Sequence, residues 1–113
     1  MDHALQELMQ EVQLLEQQLQ HIGMQKQSVA LEQAEVQNAL KEVRATSGDV
    51  YKIVAGIMVK TDKKATITEL ETKEKQLATR LAGCEKQEQA LVKQGEGTRT
   101  KMQALIGKQG KKA

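Results

Sequence analysis

A chain of 113 residues with no Phe, no Trp and a single Tyr has too few large side chains to build the packed interior that a catalytic cavity requires. Its formal net charge of +2 hides an asymmetry: residues 2–47 hold seven acidic and three basic side chains, residues 66–113 six acidic and ten basic. Arms of opposite sign attract each other and disfavour pairing of like arms between molecules, so a fold-back is expected and a parallel homodimer is not.

The first arm, residues 2–47, carries a stripe with 3-4 spacing: Leu5, Leu8, Val12, Leu15, Leu19, Ile22, Lys26, Val29, Gln33, Val36, Leu40 and Val43. Apolar residues recurring about every 3.5 positions make a helix bury a narrow seam against another helix, so this arm reads as one strand of a coiled coil. Pro is absent from the whole chain, which leaves long helices uninterrupted. Thr46, Ser47, Gly48 and Asp49 then break the pattern, with Gly48 suited to the left-handed position that ends many helices.

Residues 50–60, VYKIVAGIMVK, are rich in β-branched side chains and read as a β-hairpin. A two-residue turn at Ala55 and Gly56 would mix lysines with apolar residues on both faces. A three-residue loop, Val54, Ala55 and Gly56, pairs Ile53 with Ile57 and Tyr51 with Val59 and makes one face wholly apolar, with Gly56 at the left-handed third position. The three-residue loop is therefore the expected one. Two strands alone are marginal in water and their edges are unpaired, so the hairpin residues Val50, Tyr51, Ile53, Gly56, Ile57, Met58 and Val59 are expected to join strands of other subunits in a closed sheet or barrel.

The second arm, residues 66–106, is expected to open on a capping box, Thr66 with Glu69 or Thr68 with Glu71. Its seam is Ile67, Leu70, Glu74, Leu77, Leu81, Cys84, Glu88, Leu91, Gly95, Thr98, Met102 and Leu105. Folding back sets Val43 near Ile67, Leu19 near Leu91 and Leu5 near Leu105. The polar breaks then face apolar partners, Lys26 by Cys84, Gln33 by Leu77, Val36 by Glu74 and Ile22 by Glu88. The fold class is mainly α: a single domain, residues 1–113, made of a thin antiparallel two-helix coiled coil with one hairpin between the helices. Residues 107–113, with Lys108, Lys111 and Lys112, read as a basic flexible tail.

Chemistry-bearing motifs are missing. His3 and His21 are too far apart to share a metal and no further ligands cluster with either, so no metal site and no cofactor are expected. Cys84, the sole cysteine, excludes an internal disulfide and reads as a small seam residue in a reducing compartment. No apolar run approaches the roughly 20 residues that span a bilayer, and no signal-peptide pattern opens the chain, so a cytoplasmic protein without a membrane partner is expected. One aromatic side chain offers almost no stacking platform for nucleic acid. No enzymatic activity is expected.

A long helix, the segment DVYKIVAGIMVK, a second helix beginning near ITELETKEKQL and an antiparallel return resemble a β-class subunit of prefoldin. The VYK, then Gly, then IMVK hairpin is the specific part; the segment is most similar to the eukaryotic subunit 6 type, and an archaeal β subunit is the other member it resembles. The resemblance implies a hetero-hexamer of α-class and β-class subunits whose hairpins form a double β-barrel. It implies that the coiled-coil tips capture unfolded clients such as actin and tubulin and pass them to a group II chaperonin without ATP. Leu5, Leu8, Met9, Val12, Met102, Leu105 and Ile106 are then the expected client-binding residues, near Gly95 and Gly97, which each weaken the helix by roughly 1 kcal/mol relative to Ala. The alternative is a scaffold or tethering coiled coil that needs the helices only as spacers.

Overall fold

The structure, a computed structural model, describes the backbone of residues 3–111 and the side chains of residues 3–107. Helix α1 (His3–Ala45) leads into strands β1 (Val50–Val54) and β2 (Ile57–Thr61), and helix α2 (Lys63–Lys111) follows. The chain divides into two compact units: Met1–Lys26 with Gly83–Ala113, and Gln27–Ala82.

Every seam position of both arms is buried or half-buried, while nearly all positions between them are exposed. In the unit of residues 27–82, Val29, Val36, Leu40 and Leu77 form a buried cluster, with Ile67, Leu70 and Leu81 packed on it. Arg44 Nη2 donates to Glu71 Oε1 at 3.0 Å across the same helix pair. In the other unit the charged end of Lys26 does not rest on an apolar partner: its Nζ meets Glu88 Oε1 at 3.3 Å, so two polar breaks of the seam satisfy each other. The reason is the lean of helical side chains toward the N-terminus, which carries the Lys26 head back by a turn from its own Cα. A buried Thr98, 3% exposed, is likewise satisfied: its hydroxyl lies 3.1 Å from Glu11 Oε1 and 3.0 Å from the Gln94 carbonyl oxygen.

The hairpin differs from the expected register. Val54 pairs with Ile57, Ile53 with Met58, Lys52 with Val59, Tyr51 with Lys60 and Val50 with Thr61, so the turn has two residues, not three. Ala55 (φ 49°) and Gly56 (φ 80°) both lie in the left-handed region. That is a type I′ turn, whose twist matches that of paired strands, and here turn geometry outweighs the segregation of apolar side chains. The resulting mixture is accommodated because each lysine reaches a carboxylate at the hairpin base: Lys52 Nζ to Glu69 Oε1 at 3.7 Å and Lys60 Nζ to Asp49 Oδ1 at 3.5 Å.

Both helix boundaries at the hairpin also differ from expectation. α1 stops at Ala45, and Gly48 does not adopt a left-handed conformation. The orphan carbonyls that such a glycine would help satisfy are met from elsewhere, since Lys63 Nζ donates to the carbonyls of Thr46 (2.8 Å) and Arg44 (3.3 Å). α2 begins at Lys63, not Thr66, because Asp62 is its N-cap and accepts the Ala65 N–H on Oδ2 at 3.1 Å. Thr66 and Thr68 lie inside the helix and donate their hydroxyls to the carbonyls four residues back, so neither opens a capping box. α2 also runs on through Gly107 to Lys111, into the segment expected to be a flexible tail; residues 112–113 and the side chains from Lys108 onward lie outside the described residues.

Candidate functional site

The hairpin presents apolar side chains on both faces. Alternation along the strands puts Tyr51, Ile53 and Met58 with Lys60 on one face, and Val50, Val54, Ile57 and Val59 with Lys52 on the other. Val50 alone among these is buried. Ile53 (74% exposed), Met58, Ile57, Val54, Tyr51 and Val59 all face solvent, and among the described residues no third strand pairs with either edge. The single all-apolar face expected from the sequence is thus replaced by two mostly apolar faces, each interrupted by one lysine. Gly56 supplies the left-handed turn.

The residues expected to bind clients all fall in the unit of residues 1–26 with 83–113. Leu5 is buried, Leu8, Val12, Met102 and Leu105 are half-buried in the seam, and Met9 (41%) and Ile106 (54%) are exposed. Val12, Met102 and Ile106 come together in a groove of about 530 Å3, which Leu15, Leu19, Val92 and Gly95 also line. Leu5, Leu8, Met9 and Leu105 do not line it. A second groove of about 490 Å3 is floored by Leu14, Ile22, Ala90 and Leu91 and rimmed by glutamines and His21. The sequence reading missed Val92 and Leu14. Both are apolar residues one position beside a seam residue, as Met9 and Ile106 are, and that off-seam placement is the signal that finds them.

Gly95 and Gly97 do not interrupt α2. A methyl group built on Gly97 meets nothing within 4 Å. Gly97→Ala is therefore expected to stabilise the chain by about 1 kcal/mol, read as a rise of several degrees in its helical melting temperature by circular dichroism.

Among the described residues no three His, Cys, Asp or Glu side chains gather as a metal site would require, and no helix is long and apolar enough to cross a membrane. Cys84 is a half-buried free thiol at its seam position.

Two long helices joined by one two-stranded hairpin are the form shared with known proteins. The family described as prefoldin subunit matches residues 6–109, and the chain belongs to that family, in its β class. The prefoldin subunit beta of Thermococcus kodakarensis is 38% identical over 89 residues, covering 77% of this chain and 76% of that protein. The one from Pyrococcus abyssi is 34% identical over 104 residues, covering 90% and 89%. The crystal structure of the prefoldin beta subunit from Thermococcus strain KS-1 superposes with a TM-score of 0.86 at 32% identity, over 92% of this chain and 93% of that one.

Proposed function

We propose that the chain is a β-class subunit of a hetero-hexameric co-chaperone that captures unfolded proteins without ATP and delivers them to a group II chaperonin. The observation that carries the assembly is the hairpin, whose apolar side chains stand in solvent on two faces between two open edges. Such a sheet is not stable alone and is completed by strands from α-class and other β-class subunits in a barrel. The capture surface is the groove of Val12, Met102 and Ile106 with exposed Met9 beside it, and methionine suits it to varied apolar segments of actin-like and tubulin-like clients. The chemistry is binding alone, in the cytoplasm, with no enzymatic step.

Native mass spectrometry of the chain co-expressed with an α-class prefoldin subunit tests the assembly. A six-chain complex is expected; a monomer or dimer indifferent to the partner overturns the reading in favour of a scaffold. For capture, Met9→Ser combined with Ile106→Ser is expected to lower the complex's suppression of aggregation of a denatured protein severalfold. Both side chains are exposed, so the melting temperature stays within a degree or two. Unchanged suppression removes the capture role of these residues.

A further inference from the structure

Lys63 occupies a place that electrostatics disfavours. As the first residue of α2 it sits at the positive end of that helix, beside Lys64, where a cation lowers stability. Its ammonium escapes by reaching the negative end of α1, where it donates to the Thr46 carbonyl at 2.8 Å and the Arg44 carbonyl at 3.3 Å. These are the points where the chain leaves α1 for the hairpin, and Lys63 is where it returns. The neighbouring contacts brace the same junction. Asp62 caps α2, Thr66 Oγ1 lies 3.3 Å from Thr61 Oγ1 at the last ladder pair, and Arg44 holds Glu71 at 3.0 Å. Val50, the one buried hairpin residue, pairs with Thr61 at this base.

We propose that Lys63 is a positioning residue for assembly: it ties the two stems of the hairpin together and so fixes the direction in which the hairpin leaves the helices. The role rests on the proposed assembly through the hairpin. The role needs no contact with a partner subunit: Lys63 presets the geometry that the partner meets. A hairpin aimed in advance loses less freedom on joining a barrel, which is where affinity is gained.

The test uses the full chain titrated with an α-class subunit, the hexamer being counted by native mass spectrometry. Lys63→Met is expected to raise the concentration for half-assembly about tenfold, as loss of a charged hydrogen-bond donor does. Lys63→Arg retains a donor of sufficient reach and stays within about threefold of the parent chain. Lys64→Met, on the same turn, reports the effect of removing a lysine charge alone. Circular dichroism melts of all variants verify that the helices persist. Assembly of Lys63→Met at the parent concentration, or an equal loss in Lys64→Met, overturns the role. Ile53→Asp serves as the reference for the underlying reading: if it abolishes assembly while Lys63→Met does not weaken it, only the positioning role falls. If Ile53→Asp assembles normally, the hairpin interface falls and the positioning role with it.

Discussion

A chain carrying Ile53→Asp is expected to fold its helices normally and yet stay out of the hexamer. Ile53 is 74% exposed in the isolated chain, so a carboxylate there meets water and costs the monomer little. Within a closed barrel the same position is covered by neighbouring strands, and an unpaired buried carboxylate costs several kcal/mol. The apparent affinity for the partner subunit therefore falls by at least about a hundredfold, at roughly 1.4 kcal/mol per factor of ten. Mixing the variant with its partner and counting complexes by native mass spectrometry, alongside an unchanged circular dichroism melt of the variant alone, checks both halves. Ile57→Asp, on the other face of the sheet, is expected to act the same way, because the two-residue turn leaves apolar surface on both sides.

Leu77→Ala is expected to be among the most destabilising single truncations in the seam, at about 3 kcal/mol. Leu77 is 2% exposed and belongs to the cluster of Val29, Val36 and Leu40, with Leu70 and Leu81 beside it. Removing its side chain forfeits transfer energy and leaves a void that two helices cannot close without losing their other contacts. Leu31→Ala makes the comparison sharp, since that leucine is 64% exposed on α1 and its loss is expected to change stability by less than about 0.5 kcal/mol. Thermal and urea melts of the two variants measure the difference. Equal melting temperatures would mean that the seam does not carry the stability of the chain.

The seam was legible in full because a 3-4 period leaves a helix one way to bury its apolar stripe, and all its members lie where the period puts them. The hairpin was legible as an element but not in register. Patterning favoured the three-residue loop, and nothing in Ala55-Gly56 announced that an alanine would accept φ 49° to gain a type I′ twist. Lys26 was legible as a break in the seam, but its partner was not, since alignment by Cα level ignores how far a lysine head travels along the helix. The start of α2 was hidden for a related reason: Asp62 is followed by two lysines, an electrostatically poor first turn that becomes intelligible only once Lys63 is seen bonded to the end of α1. Of the client-binding candidates in the groove, Val12 and Met102 follow from the seam, whereas Ile106, like Val92, is found only by reading the positions beside it.

The single lysine on each face of the hairpin bears on supply as well as on structure. A newly made subunit waiting for its partners displays two open strand edges, and identical copies of itself are the nearest candidates to pair with them. Lys52 and Lys60 place an ion-paired ammonium on each face, so copies that stack on either face must strip water from a lysine–carboxylate pair. Overproduction of this chain without its partners is thus tolerable up to the concentration at which apolar contact outweighs that desolvation cost. Added salt loosens both exposed pairs by screening them, so the safe stoichiometry of the subunits depends on ionic strength.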